Sequence, residues 1–224
     1  MDALIFDFDG VVVDSEPTHL AAFRHVLASR GLKLTSEDYY AKYIGFDDHD
    51  CFLAAFRDKG MALAEADVAK MISEKTAIMK KALAESVQPL PGAVELIKSA
   101  ASAGVAVAVC SGALRGEIEV ASRKVALLES FSVIVAAEDV SRGKPDPEGY
   151  ELARQMLSAA SGRDIAAGRC LAVEDSPAGI DAAKAAGMKV LAVTNSYAAG
   201  ALAAADRVVN SLQGVTLSSL NKLA

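Results

Sequence analysis

Short apolar runs recur along the 224-residue chain, and several stop at a small or acidic residue. ALIF (3–6) precedes Asp7, VAVAVC (105–110) precedes Ser111, and FSVIVA (131–136) precedes Ala137. CLAV (170–173) precedes Glu174, KVLAV (189–193) precedes Thr194, and RVV (207–209) precedes Asn210. Most are β-branched and apolar throughout instead of alternating, the pattern of strands buried on both faces. Helical patterns lie between them. One runs from Pro91 to Gly104 and another from Pro177 to Gly187, each with proline near its start and glycine at its end. Strand–helix alternation of this kind predicts an α/β fold: a doubly wound parallel sheet with helices on both faces.

Between residues 14 and 88 the pattern changes. PTHLAAFRHVLASRG, SEDYYAKYIG, DHDCFLAAFRDKG and EADVAKMISEKTAIMKKALAES all read as amphipathic helices, with no strand run among them. The expected organisation is therefore an α/β core formed by residues 1–13 and 89–224, interrupted by an all-helical cap at 14–88. QPLPG (88–92) reads as the return linker.

Composition narrows the function classes. With 52% apolar and 23% charged residues the chain can bury a normal core without staples. A net charge of −6 argues against a nucleic-acid binder. It also means that an anionic substrate needs local positive charge from a lysine, a metal ion or backbone N–H groups. The three cysteines, Cys51, Cys110 and Cys170, are scattered without metal-ligand spacing and read as free thiols. The longest uncharged stretches, 99–114 and 190–205, fall short of a membrane span. Asp2 stands where an export signal would be basic, so a cytoplasmic monomer with no membrane partner is expected.

In open α/β sheets ligands bind beyond the carboxyl ends of the strands. The first strand delivers Asp7 and Asp9 there, the second Ser111 and Gly112, and the fourth Glu174 and Asp175. Lys144 sits in the Gly/Pro-rich stretch RGKPDPE just upstream. Each signal alone is ordinary. A strand-end aspartate often forms a turn, Asp9-Gly10 is a common turn pair, and Glu174-Asp175-Ser176 before Pro177 could simply cap a helix. Together they place four carboxylates, a hydroxyl and a lysine at one sheet edge. Clustered carboxylates cannot all ionise without a cation, and oxygen-only donors suit Mg²⁺. Metal, lysine and hydroxyl would neutralise a phosphoryl group, which frees one carboxylate to act as nucleophile.

DFDGV (7–11), CSG (110–112), GKPDPE (143–148) and VEDSPAGI (173–180), in this order, resemble the haloacid dehalogenase-like hydrolase superfamily. The helical insertion and DSEP (14–17) are similar to the subgroup of β-phosphoglucomutase, phosphoglycolate phosphatase and sugar-phosphate phosphatases. The resemblance implies Asp7 as nucleophile, Asp9 as general acid and base, and Ser111, Gly112 and Lys144 as phosphoryl-binding residues. It implies Mg²⁺ held by Asp7, the backbone carbonyl of Asp9, Glu174 and Asp175. It places His19 and Gly45 near a small phosphorylated metabolite. Asp9 favours phosphate esters, because the family's dehalogenases lack this acid.

Two alternatives stay open. A phosphomutase needs a basic group after the cap glycine to grip a second phosphate. Here Asp47 and Asp48 follow Gly45 and are expected to repel it, although Lys42 and Arg57 lie nearby in sequence. A non-catalytic binding module would be expected to have lost Asp7 or Asp175, and both are present. TNSY (194–197) reads as a structural turn.

Overall fold

A computed structural model describes residues 1–44 and 46–223; Gly45 therefore lies outside the described residues. The chain divides into two compact units, residues 1–14 with 87–224, and residues 15–86. Asp14, Val87 and Gln88 go with the α/β unit, because the outgoing and returning segments pair. Asp14 N donates to Gln88 O at 3.1 Å, and Val13 forms an antiparallel bridge with Pro89.

Strand β1 (Ala3–Phe6) opens the α/β unit. The helical unit follows, with α1 (Glu16–Ala28), a single turn α2 (Ser36–Asp38), α3 (Asp48–Arg57) and α4 (Glu65–Ser86). Its core is aromatic and aliphatic: Leu20, Phe23, Leu27, Tyr39, Tyr43, Phe52 and Met71 pack together. The stretch read as a helix at SEDYYAKYIG is only partly α-helical. Residues Tyr39–Tyr43 form a π-helical turn, closed by Ile44 N donating to Tyr39 O at 3.0 Å. Both buried tyrosines reach carboxylates from this turn, Tyr39 donating to Glu16 and Tyr43 to Asp58, each at 2.8 Å. Wide turns of this type often lie beside functional segments.

The α/β unit resumes with α5 (Ala93–Ser102), β2 (Ala106–Cys110), α6 (Arg115–Lys124), β3 (Val133–Val135), α7 (Glu148–Ser161), β4 (Cys170–Glu174), α8 (Pro177–Ala185), β5 (Lys189–Val193), β6 (Arg207–Val209) and a short α9 (Leu217–Leu220). The six strands are parallel in the order β3-β2-β1-β4-β5-β6. Ala3, Ile5, Ala108, Ala172 and Val190 pack with Tyr150, Ala153 and Leu157 of α7 and Ile180 and Ala183 of α8. The alternate residues Leu4, Phe6, Val107, Val109, Leu171 and Val173 point the other way and are equally buried. Burial on both faces is why these strands read as continuous apolar runs. All three cysteines are buried and free. No described helix is long and apolar enough to cross a membrane.

The strand order reverses between β1 and β4. Winding proceeds outward in opposite directions from these two strands, so a crevice opens beyond their carboxyl ends. The chain's densest acidic motifs leave the sheet there.

Candidate active site

β1 and β4 run in register, with Phe6 opposite Val173. Asp7 N extends the ladder by donating to Val173 O at 2.9 Å, which sets Asp7 beside Glu174. The chain then turns sharply. Val12 N donates to Phe8 O at 2.8 Å and Gly10 N to Val13 O at 3.0 Å, so Asp9 lies in a tight turn. Gly10 has φ +73°, and a Cβ there would fall 1.9 Å from Asp175 Oδ2. No other residue type fits so near that carboxylate.

After β4, Ser176 caps α8 by accepting from Gly179 N at 3.1 Å. The first turn of α8 lies directly over Glu174, where a Cβ on Gly179 would come within 2.0 Å of the carboxylate. Glu174 is fully engaged. Its Oε1 accepts from Lys144 Nζ at 2.6 Å and from the Tyr150 hydroxyl at 2.7 Å. Its Oε2 accepts from Asp175 N at 3.1 Å, from Ser176 N at 3.4 Å and from Ser176 Oγ at 3.1 Å.

Lys144 is the cation of the cluster. Its ammonium also donates to Asp7 Oδ1 at 2.7 Å, and it lies 5.3 Å from the centre of the Tyr150 ring. The loop that carries it is stapled to the start of α7. Glu148 accepts from the Ser141 and Arg142 N–H groups at 2.9 and 3.0 Å, and Arg142 pairs with Asp146 at 2.8 Å. The acids of RGKPDPE therefore hold the loop, and its lysine reaches into the site.

Burial shapes the charges. It pushes the Asp7 carboxyl up to about 7; Lys144 opposes the rise, while Glu174 and Asp9 add to it. Burial likewise pushes Asp175 up to about 8, helped by Asp7 and Glu174 and opposed by a hydrogen bond from Ser196. Burial alone would lower Lys144, but Asp7 and Glu174 raise it well above the ordinary amine range, so it stays charged. Burial, with Glu174 beside it, raises Tyr150 well above its ordinary value, which keeps the phenol a donor. Burial pushes Cys110 up to about 12, so the thiol before Ser111 is not an available nucleophile.

These shifts set a pH dependence for the metal-free protein. Unfolded aspartates ionise near 3.8, while folded Asp7 and Asp175 hold their protons to about 7 and 8. The folded state therefore binds more protons across that window, and stability falls as pH rises from about 4 to 8. His49, raised by its hydrogen bonds to Glu65 and Asp50, acts in the same direction. Thermal unfolding in EDTA is expected to give a higher Tm at pH 5 than at pH 8; a Tm that is flat or rising over this range contradicts the sign.

The carboxylates of Asp7, Glu174 and Asp175 each present an oxygen within 4.8 Å of the others. All three are buried, and Lys144 is the one cation among the described residues shown bonded to any of them. An oxygen-only donor set with excess buried negative charge fits a hard divalent cation. Asp7 has Oδ2, and Asp175 has Oδ1, accepting no hydrogen bond among the described residues.

Of the residues singled out in the sequence, Asp7, Lys144, Glu174 and Asp175 come together here. Asp9 lies in the adjoining turn. Ser111 and Gly112 follow β2, the other neighbour of β1, where Ser111 N donates to Val135 O at 3.0 Å and Ser111 Oγ accepts from Ala113 N at 3.0 Å. His19 belongs to the helical unit. There the wholly buried Lys75 donates to His19 Nδ1 at 2.9 Å and to Asp48 Oδ1 at 2.5 Å, 4.6 Å from the Phe23 ring centre. This weakens the expected repulsion by Asp47 and Asp48 without removing it. Asp48 is neutralised by Lys75, and Asp47 caps α3 by accepting from Asp50 N at 2.8 Å. Asp47 is exposed and keeps its charge, so the acidic character of this segment is reduced and not removed.

Residues 4–193 match the haloacid dehalogenase-like hydrolase family. The chain belongs to this family. Among haloacid dehalogenase-like hydrolases, hexitol phosphatase A of Escherichia coli is 33% identical over 215 residues, covering 96% of this chain and 93% of that one. Protein CbbY of Rhodobacter capsulatus is 29% identical over 230 residues, covering 100% and 99% respectively. A crystal structure of mutant CbbY from Rhodobacter sphaeroides, in complex with xylulose-(1,5)bisphosphate, superposes with a TM-score of 0.88. It is 27% identical and covers 98% of this chain and 99% of that one. Several curated relatives are named as phosphatases, and this chain is a hydrolase of the same kind.

Four residues that contact this cluster, its adjoining turn or His19 carried no such signal in the sequence. Tyr150 lies two positions past the last residue of GKPDPE. Lys75 looked like one more lysine in a charged helix. Asn195 and Ser196 lay in a stretch read as a structural turn. Their importance comes from tertiary placement.

Proposed function

We propose that the chain is a Mg²⁺-dependent phosphatase acting on a small phosphorylated sugar or polyol through an aspartyl-phosphate on Asp7. The observation that carries this reading is the lysine fork. Lys144 bridges Asp7 and Glu174 at the switch point of the sheet, with Asp175 beside them. One cation then serves both to hold a carboxylate ionised for attack and to meet the phosphoryl oxygens.

In this reading Asp7 attacks phosphorus in line with the ester oxygen. Asp9 gives its proton to the departing alcohol. It then takes a proton from the water that opens the aspartyl-phosphate and releases inorganic phosphate. The Ser111 hydroxyl, near the Gly112 backbone, donates to a phosphoryl oxygen. Asp7, Asp175 and the backbone carbonyl of Asp9 would hold the metal directly. Glu174, with both oxygens already accepting from donors, would reach it through water. When bound, Mg²⁺ supplies charge neutralisation for the phosphoryl oxygens.

The helical unit is read as the part of the chain that selects the remainder of the substrate, with His19 as a contributor. Lys75 donates to His19 Nδ1, which leaves the ring proton on Nε2. The relatives' names point to hexitol and hexose monophosphates, and the CbbY complex adds a pentulose bisphosphate. Lys75 pairs with Asp48, which leaves Asp47 as the acid of this pair that would act against a second phosphate.

The test is phosphate release from p-nitrophenyl phosphate, hexitol and hexose monophosphates and a pentulose bisphosphate, with Mg²⁺ and with EDTA. Mg²⁺-dependent release from at least one sugar or polyol phosphate is expected. No release from any of them rejects the proposal. Isomerisation of a sugar monophosphate, primed by a bisphosphate, would assign the mutase reaction instead.

A further inference from the structure

We propose that the turn after β5 is part of the metal site, with Ser196 and Asn195 as positioning residues for the groups that hold the cation. The inference rests on the Mg²⁺ reading above and extends it to two residues outside the four motifs.

Topology puts the turn there. β5 pairs with β4 in register, Ala192 opposite Glu174, so the residue that follows Glu174 has the end of β5 as its neighbour. Thr194 N continues the sheet by donating to Val209 O at 3.0 Å. The next two side chains leave their own turn. The Ser196 hydroxyl donates to Asp175 Oδ2, and Asn195 Nδ2 donates to Gly10 O at 2.7 Å.

Each bond lands on a different ligand-bearing segment. Ser196 occupies one Asp175 oxygen and so directs the other, Oδ1, to the cation. Asn195 ties down the carbonyl next to that of Asp9, which fixes the turn through which the Asp9 carbonyl is presented. The three segments leave no slack. A Cβ on Gly10 would lie 1.9 Å from Asp175 Oδ2 and 2.8 Å from Ser196 Oγ. A polar turn serving only itself would direct its side chains to local backbone. Here Ser196 goes to a carboxylate proposed to hold the metal and Asn195 to the carbonyl next to a proposed ligand, and partners of this kind set a ligand's rotamer and its affinity.

The experiment is titration of the metal-free chain with Mg²⁺ alone, followed by calorimetry, for wild type, Ser196→Ala, Ser196→Thr and Asn195→Ala. Ser196→Ala is expected to weaken Mg²⁺ binding by about tenfold or more, with Ser196→Thr, which keeps the hydroxyl, restoring most of it. In EDTA, Ser196→Ala should lose no more Tm than one hydrogen bond accounts for, and Ser196→Thr should restore it. Phosphate release by Ser196→Ala should require more Mg²⁺ to reach half of its own maximal rate. Asn195→Ala should weaken Mg²⁺ binding in the same direction.

If wild type binds Mg²⁺ and Ser196→Ala binds it equally well, this inference fails and the metal reading stands. If wild type shows no Mg²⁺ binding, both fail. A Ser196→Ala variant that loses stability in EDTA, with no recovery of Mg²⁺ affinity in Ser196→Thr, would make the residue a structural one and overturn the proposal.

Discussion

Asp7→Asn is expected to lower phosphate-ester turnover by roughly a thousandfold or more, the scale on which a lost nucleophile registers. The substitution is nearly isosteric, so the ladder bond from the residue 7 N–H to Val173 O survives. What disappears is one negative charge and the carboxylate proposed to attack phosphorus. Stability should respond quite differently from activity. Burial pushes Asp7 up to about 7, with Glu174 and Asp9 contributing to the rise, so an ionised carboxylate here is a strained group in the metal-free fold. Lys144 loses one partner but keeps Glu174 at 2.6 Å. The Tm of Asp7→Asn in EDTA near pH 7.5 should therefore match or exceed that of wild type, while turnover collapses. Beryllofluoride with Mg²⁺ should bind wild type and fail to bind the variant. A variant that turns over at the wild-type rate removes Asp7 from the nucleophile's role.

The sheet was legible because burial on both faces leaves a continuous apolar signature. Each run ending at Asp7, Ser111, Glu174 and Thr194 is a strand, and the parallel order follows from the helices between them. The helical unit was expected from the loss of strand runs between residues 14 and 88. Three features were not legible, each for a tertiary reason. The π-turn at Tyr39–Tyr43 shares the composition of an α-helix, and its tyrosines find Glu16 and Asp58 only in the folded unit. Asp48 looked like a free charge because its partner, Lys75, lies 27 residues away. Ser196 reaches Asp175 from the turn after the neighbouring strand β5, 21 residues along the chain. The motif residues announce themselves as clustered carboxylates. The residues that orient them are ordinary serines, asparagines and tyrosines, with no pattern of their own.

Lys144→Met should impair both catalysis and folding, in contrast to Asp7→Asn. Methionine matches the length of the lysine stem and leaves the packing near Tyr150 largely intact, so the missing charge dominates. Turnover is expected to fall about 10²–10³-fold, the usual consequence of removing one preorganised group that stabilises transition-state charge. The fold loses the partner of two acids at once, since Lys144 contacts Asp7 Oδ1 and Glu174 Oε1. Glu174 is wholly buried, and breaking a buried pair from one side typically costs about 3–5 kcal/mol. For a chain of this size that corresponds to roughly 10 °C in Tm. The loss should be larger at pH 8 than at pH 5. At pH 5 Asp7 and Asp175 are still protonated and repel Glu174 less, whereas at pH 8 the cluster must ionise without its cation. Added Mg²⁺ should recover part of the stability at pH 8 by supplying positive charge to the same oxygens, without recovering the turnover that needs Lys144 itself. Equal Tm values for variant and wild type at both pH values would mean that the carboxylates find another counter-charge, and the lysine fork would then lose its place as the organising contact of the site.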